Sequence, residues 1–338
     1  MSSPTGPASG LPVRMPRPRQ SGRHRRPEPA AAPVGAPPLV LAVPGTPDSA
    51  TRSLVDEVLS IARSELPGLD ARIGYVGGSD EEFPPLGAVL TRAAHERAAL
   101  LSAATQAATG AADDGQAAFG DPADASAEAL AAAAEVARAA QQQIAASAEG
   151  PAAVVVPLLA GPDSELMARI RQAVGDSGCA TQLTDPLGPH PLLAEALHVR
   201  LSEAGLARAD RARLFTVATA ADGIVLATVG GPEAVQAAGI TGMLLSARLA
   251  VPVLAAALDE KGAVARTAEQ LLGAGAQRLA LAPYLIGPEV SAEWIETAAT
   301  EAGCAAAEPL GAYPAVGRLV LSAYAAALGI TLPGAPSR

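Results

Sequence analysis

The stretch AAVVVPLLAGPDSELMARI, residues 152–170, decides the fold. Its β-branched run Val154–Val156 predicts a buried strand, and the Gly161-Pro162 pair predicts a turn. Apolar residues at helical spacing follow and predict a helix; they are Leu166, Met167 and Ile170. A similar stretch, RLALAPYLIGPEVSAEWI, recurs at residues 278–295. We therefore expect the chain to contain two copies of one strand-to-helix unit.

Further matches support an internal duplication. Pro157 matches Pro283 at a separation of 126 residues, and DPLG at 185–188 matches EPLG at 308–311 at a separation of 123. A repeated pattern of this length indicates two similar structural units, and 338 residues is enough sequence for two cores.

The matches also locate an insertion. Leu41 and Leu226, in the first strands of the two halves, are 185 residues apart, about 60 more than the later pairs. The extra length falls in an alanine-rich segment at about residues 101–150, whose second part should be helical on propensity alone. We predict a first lobe at residues 39–205 that contains this insertion, a second lobe at 221–330 and a short tail at 331–338.

Strand and helix patterns alternate throughout both halves, which predicts an α/β fold. The expected architecture is two flavodoxin-like or Rossmann-like lobes, each with a four-stranded parallel sheet, that face each other across a cleft. Hydrophobic residues make up 49% of the chain and aromatic residues 2%, so the cores should consist mainly of Ala, Val and Leu.

Residues 1–38 differ from the rest of the chain. They are rich in Pro and Arg and hold six of the 24 basic residues but one of the 34 acidic residues. This composition predicts a disordered tail, either dispensable or an arm for an anionic partner. The remaining chain is acidic, so we expect no nucleic-acid surface. Since no apolar run suits a signal peptide or a membrane span, we predict a cytoplasmic protein that does not bind membranes.

Three segments resemble, in order, motifs of the sirohydrochlorin and cobalt-precorrin chelatases of the CbiX type, which are class II tetrapyrrole chelatases. The segments are LVLAVPGTPDS (39–49), VVVPLLAGPDSELMARI (154–170) and DPLGPHPLLAEALHVRL (185–201), and the second half looks like a weaker copy. The resemblance implies chelatase-like lobes, a tetrapyrrole ligand such as sirohydrochlorin, and Fe²⁺ or Co²⁺ as the substrate metal. It also implies a role in sirohaem or cobalamin metabolism, with another chelatase chain as a candidate partner.

This chain lacks histidine where the family places its metal-site histidines. The corresponding positions hold Pro44 and Glu165 in the first half and Val229 and Ser291 in the second. Metal insertion needs a base for the pyrrole protons and ligands that hand over the metal, and neutral imidazole does both. The resemblance therefore predicts a chelatase-like protein with impaired metal insertion. The alternative is a non-catalytic tetrapyrrole-binding or scaffold protein that partners an active chelatase.

Glu165 and His190 remain as candidate catalytic residues. Glu165 could be a carboxylate base, and His190 lies in the LGPHP loop, at the expected carboxyl edge of the sheet, where such folds bind ligands. The alternative for His190 is a purely structural part of the loop. Glycine-rich turns supply candidate ligand-binding residues, although tight turns explain them equally; these residues are Gly45, Thr46, Gly161 and Gly230.

Four carboxylates follow strands in matched pairs and could face one cleft as a metal or acid/base set. They are Asp48, Asp163, Glu233 and Glu289, and helix N-capping is the alternative that we favour for them. The candidate cations for ligand carboxylates are Arg52, Arg92 and Arg169. Cys179 and Cys304, each after a glycine, are interpreted as one structural position used twice.

Overall fold

The structure is a computed structural model that describes residues 31–33, 35–117, 135, 138–139, 142, 148–207, 220–287, 289–330 and 332. The first half contains β1 (Leu39–Val43), α1 (Ser49–Glu65), β2 (Ala71–Tyr75), α2 (Leu86–Ala117), β3 (Ala153–Pro157), α3 (Ser164–Asp176), β4 (Thr181–Leu183) and α4 (Pro191–Glu203). The second half contains β5 (Gly223–Thr228), α5 (Gly231–Leu249), β6 (Val253–Ala257), α6 (Ala263–Gly273), β7 (Leu279–Pro283), α7 (Ala292–Glu301), β8 (Ala305–Ala306) and α8 (Pro314–Leu328).

Among the described residues these strands form two four-stranded parallel sheets, in the orders β2-β1-β3-β4 and β6-β5-β7-β8. The registers of the two sheets also agree. Leu39 pairs with Val154 in the first sheet, and Ile224 pairs with Ala280 in the second. The predicted α/β fold with two similar parallel sheets is therefore confirmed, and the two halves repeat one topology.

The central strands are buried on both faces, which explains their continuous apolar sequences. Alternate side chains point to opposite sides of each sheet. On one side, Leu39 and Leu41 of β1 share a core cluster with Ile224 and Leu226 of β5. The same cluster takes in buried side chains of α1, α4, α5 and α8, so these four helices pack between the sheets. The outer faces are covered by α2 and α3 on the first sheet and by α6 and α7 on the second.

The helices between the sheets pair across the two halves, α1 with α8 and α4 with α5. At the first crossing, a Cβ on Gly317 of α8 would lie 2.6 Å from Ile61 Cγ2 of α1, so only a glycine permits this separation. An ion pair between Arg318 and Glu65, 2.7 Å long, lies beside it. Because the first helix of one half packs on the last helix of the other, the two halves share one interior.

The alanine-rich insertion begins inside a helix. Helix α2 is 32 residues long, whereas α6, which occupies the same place in the second half, has 11. Helix α2 continues through Gly110 to Ala117. A single glycine costs about 1 kcal/mol in a helix, which the neighbouring alanines offset. Most of residues 118–147 lie outside the described part of the chain.

The end of the predicted tail belongs to the fold. Pro37 and Pro38 are buried, and the Tyr324 hydroxyl of α8 donates a hydrogen bond to the Pro37 carbonyl at 2.7 Å. The Ala32 amide donates to the Pro67 carbonyl at 3.0 Å. Residues 1–30, with all six arginines of the tail, lie outside the described residues, as do 333–338. Within the described residues, none of the helices has the length and apolarity that crossing a membrane requires.

Candidate functional site

The loops that follow the strands bring the carboxyl edges of the two sheets together. We call residues 44–48, 158–163, 229–230 and 284–291 the carboxyl-edge loops; they follow β1, β3, β5 and β7. A Cβ on Gly230 would lie 2.7 Å from Asp163 Cα, and a Cβ on Gly161 would lie 3.3 Å from the Tyr284 ring. Loops of one half therefore touch loops of the other at this edge.

Two predicted ligand-binding glycines lie at these contacts. At Gly161 and Gly230 the group that approaches closely in this structure is the opposite lobe. Gly230 also has a φ of +109° and donates its amide to Asp259 Oδ2 at 3.0 Å. Gly45 packs within its own lobe, against Gly77. A Cβ on Gly77 would lie 3.0 Å from the Gly45 carbonyl oxygen. Thr46, beside it, is exposed.

His190 is the N-cap residue of α4. Its Nδ1 accepts a hydrogen bond from the Leu192 amide at 3.1 Å, and burial lowers the pKa of the imidazole. In the neutral ring the proton then lies on Nε2, because Nδ1 is the acceptor. Neither nitrogen is left with a free lone pair to bind a metal ion or to take a pyrrole proton. In this conformation His190 acts as a helix cap and cannot act as a base.

Glu165 and His190 lie on helices at opposite faces of the first sheet. Glu165 is exposed in the first turn of α3, whose side chains Met167 and Ile170 pack on the outer face. His190 begins α4, which packs on the inner face. A carboxylate in the first turn of a helix is stabilised by the helix dipole, and this position explains Glu165 without a catalytic role.

The other three positions singled out by the sequence resemblance offer little to a metal ion. Pro44 and Val229 are buried and have no ligating atom, and Ser291 is the exposed N-cap residue of α7. Across the part of the chain that the structure describes, no group of three or more His, Cys, Asp or Glu side chains could hold a metal ion. The described side chains therefore do not form a ligand set for a metal ion.

The capping interpretation of the carboxylates holds for two of the four. Asp48 Oδ1 accepts from the Thr51 amide at 2.7 Å, which lowers the pKa of Asp48, and Asp163 Oδ1 accepts from the Leu166 amide at 2.9 Å. Both therefore cap helices.

The predicted pairing of Asp48 with Glu233 is wrong. The N-cap of α5 is Gly230, three residues before the position that the strand match gives, because the loop after β5 is shorter. Glu233 consequently lies exposed in the first helical turn of α5.

Glu289 does not cap a helix. Its carboxylate accepts hydrogen bonds from the Ile286 amide at 2.8 Å and the Gly287 amide at 2.7 Å, both in its own loop. Desolvation by burial raises the pKa of its carboxyl group, although backbone hydrogen bonds such as those from Ile286 and Gly287 act in the opposite direction. Glu289 thus closes the loop that follows β7.

Tyr284 is a site residue that the sequence analysis missed. The side chain is fully buried, its hydroxyl oxygen accepts a hydrogen bond from Thr241 Oγ1 at 3.1 Å, and burial raises its pKa to about 12. The ring packs against Gly161, and its hydroxyl lies against Gly188 of the LGPHP loop. One signal was available: a rare aromatic residue follows Pro283 at the place where the first half has Leu158.

Polar contacts between the halves continue along α4. Arg200 donates from Nη2 to the Leu310 carbonyl at 2.9 Å, and Arg248 donates from Nε to His198 Nδ1 at 3.0 Å. His198 is 4% exposed, so it belongs to this interface and not to the solvent-facing side of α4.

Two of the three candidate arginines form ion pairs with glutamates. Arg52 pairs with Glu82 at 3.4 Å and Arg92 pairs with Glu96 at 3.0 Å, while Arg169 is exposed on α3.

Cys179 and Cys304 are free, partly buried thiols, each after a glycine with positive φ between a helix and the next strand. Burial raises the pKa of Cys304, so this thiol is not an activated nucleophile.

Comparison with known proteins gives matches at the level of structure. No protein-family model and no curated protein matches the sequence. The sirohydrochlorin chelatase SirB from Bacillus subtilis subspecies spizizenii, solved in complex with cobalt, matches with a TM-score of 0.49 and 11% identity, over 86% of this chain and 95% of that chain. A periplasmic ribose ABC transporter from Conexibacter woesei matches with a TM-score of 0.27 and 10% identity, over 75% and 65%. Similarity at this level says nothing about the ligand or activity of this chain.

Proposed function

We propose that this chain is a chelatase-like protein of tetrapyrrole metabolism that binds a carboxylate-rich tetrapyrrole at the carboxyl-edge loops and inserts metal poorly or not at all. The observation that carries the proposal is the sequence DPLGPHPLLAEAL, residues 185–197, together with its weaker copy at 308–320. Each copy ends in the first part of a helix, α4 or α8, that begins at the carboxyl edge of its sheet. This motif resembles the chelatase segment in sequence and in its position after the last strand.

The side chains at this edge favour binding over metal insertion. Pro44 and Val229 cannot ligate a metal, and Nδ1 of His190 already accepts a backbone hydrogen bond. Metal insertion requires a free base and a ligand set, which the described side chains do not assemble. Sirohydrochlorin or a cobalt-precorrin is the ligand class that the motif resemblance suggests, with Fe²⁺ or Co²⁺ as the metal of any residual reaction.

An anaerobic titration with sirohydrochlorin, with and without Co²⁺, tests this proposal. We expect the absorption spectrum of the tetrapyrrole to change on binding, and the metallation rate to stay at the uncatalysed value. Accelerated metallation would show that the chain is an active chelatase. Unchanged activity in a Glu165→Ala, His190→Ala double variant would then exclude these two residues as its catalytic groups. No spectral change at any concentration would refute tetrapyrrole binding.

A second candidate function is a scaffold that docks on an active chelatase chain. Helix α5 favours it, because Ile240, Met243 and Leu244 are 44%, 66% and 39% exposed along one helical face. The test is a direct titration with a purified histidine-bearing chelatase, with a Met243→Glu variant as comparison. Docking through this face predicts weaker binding by Met243→Glu, whereas equal binding by both forms would refute it.

A further inference from the structure

A groove runs along the amino edge of the second sheet. Two adjoining cavities of about 420 and 310 Å³ form this groove and share three lining residues, Leu206, Ala221 and Arg278. Its other walls include residues at the starts of the strands, namely Ile224 of β5, Leu279 of β7 and Ala305 of β8. We call the two joined cavities the amino-edge groove. It lies at the opposite edge of the sheet from the carboxyl-edge loops, so its occupant is independent of the proposed function.

The walls of the amino-edge groove are mainly apolar. Leu206, Leu249 and Val251 line it and are only partly buried, and Leu272 is 47% exposed. Covering such side chains with an apolar partner is favourable, because it removes apolar surface from water. The groove therefore favours an occupant with apolar side chains.

One segment outside the described part of the chain starts and ends at this groove. It comprises residues 208–219, and the residues that flank it, Ala207 and Ala220, both line the groove. The Ala221 amide donates to the Leu206 carbonyl at 2.9 Å, so the chain leaves the fold and re-enters it at one point. Twelve residues span at most about 40 Å when extended, so a segment fixed at both ends stays within about 20 Å of the groove.

The two halves have equivalent entries into their first strands. Leu39 donates its amide to the Asp70 carbonyl at 2.8 Å, and Ile224, 185 residues later, donates to the Pro252 carbonyl at 3.0 Å. Pro252 lies 182 residues after Asp70. Residues just before β5 therefore correspond to residues just before β1, and residues just after α5 correspond to those just after α1.

The first half shows what occupies the equivalent place. The Ala32 amide donates to the Pro67 carbonyl at 3.0 Å, and Ala32 packs on the core cluster of the inner face. The same separations match Ala32 with Val217 and Pro67 with Leu249, and Leu249 lines the amino-edge groove. In the first half, the chain before the first strand thus folds back over the end of the first helix, at the position where the second half has the groove.

We propose that the amino-edge groove is the docking site of residues 208–219 of the same chain. The apolar run of this segment is Leu214-Phe215-Thr216-Val217, and Phe215 and Val217 enter the groove beside Leu249. A segment tethered at both ends to its docking site acts at an effective concentration in the millimolar range or above, so it binds ahead of a free partner. Docking also shields the thiol of Cys304, which lines the groove.

The first test is nuclear Overhauser spectroscopy on the full wild-type chain. The chain contains three phenylalanines, so Phe215→Ala assigns the Phe215 ring by the loss of one set of signals. We expect contacts from the Phe215 ring and the Val217 methyl groups to the Leu249 methyl groups. Their absence would overturn the proposal. Contacts that arise only between differently labelled copies in a mixed sample would also overturn it, in favour of a second copy as the occupant.

The second test follows the thiol of Cys304, with Phe119→Ala as the matched control. That variant makes the same change in the alanine-rich insertion, and Cys179 is the equivalent thiol of the first half. Phe215→Ala should raise the rate at which a disulfide reagent modifies Cys304 by about tenfold or more, because losing a buried aromatic side chain shifts the docking equilibrium by at least that factor. The rate at Cys179 should stay unchanged, as should both rates in Phe119→Ala. Equal Cys304 rates in Phe215→Ala and Phe119→Ala would refute the docking.

Discussion

Gly188→Ala should destabilise the contact between the two halves. Gly188 lies in the LGPHP loop, and a Cβ there would come within 2.6 Å of three atoms, which are the Tyr284 Oη, the Ala160 carbonyl oxygen and Leu193 Cδ1. These neighbours have little freedom to move. Tyr284 and Leu193 are fully buried, and the Tyr284 hydroxyl bonds to Thr241.

The magnitude follows from overpacking. Extra atoms in a packed interior cost about 1–3 kcal/mol, and three simultaneous clashes place Gly188→Ala at the upper end of that range. At about 2–4 °C per kcal/mol, a loss of about 3 kcal/mol should lower the melting temperature by roughly 6–12 °C. Differential scanning calorimetry measures this shift.

Two comparison variants isolate the cause. Gly239→Ala, in α5, adds the same methyl group where no described atom beyond its chain neighbours and its own helix backbone lies within 4 Å, so it should be neutral or stabilise by about 0.5–1 kcal/mol. Tyr284→Phe removes the clashing hydroxyl, and the double variant with Gly188→Ala should recover part of the loss. The reasoning is refuted if Gly188→Ala melts within 1 °C, on the order of 0.3 kcal/mol, of the wild type, or if Tyr284→Phe gives no recovery.

Three further outcomes are expected. His190→Ala should lower the free energy of unfolding by about 1 kcal/mol because α4 loses its N-cap, while His190→Asn should retain most of it; equal losses in chemical denaturation would contradict the capping role. Burial raises the pKa of Tyr284 and Tyr324 to about 12 from 10.0, so stability present below pH 10 should be lost as the pH rises toward 12, and these two tyrosines should ionise only with unfolding in an ultraviolet titration. Added Co²⁺ should leave the melting temperature unchanged, and a concentration-dependent rise would reveal a metal site.

The strands were predictable because a strand that is buried on both faces needs a continuous run of apolar residues. Val154–Val156 is an uninterrupted β-branched run, and the second half repeats its environment with smaller residues. The separation of 126 residues between Pro157 and Pro283 survives in the structure, where both end the third strand of their sheet. Hydrogen bonding between strands fixes their register. Residues that match in the strand sequences of the two halves therefore occupy equivalent positions in the two sheets.

Loops and side-chain partners were harder to predict, for two physical reasons. A helix after a strand need not begin at the same distance in both copies, and so Glu233 was matched to Asp48 although Gly230 is the N-cap of α5. Gly161 and Gly188 pack against Tyr284, lie more than 90 residues away from it in the sequence, and meet it only after the halves pack. Spacing within one half contains no information about such contacts.

The polar groups at the carboxyl edge are mostly used to satisfy the backbone. Asp48, Asp163 and His190 each accept from an amide at the start of a helix, so their replacement should change stability before it changes any ligand equilibrium. Glu289 satisfies the backbone in the same way within its own loop, where its carboxylate accepts from the Ile286 and Gly287 amides, so its replacement should also act first on stability.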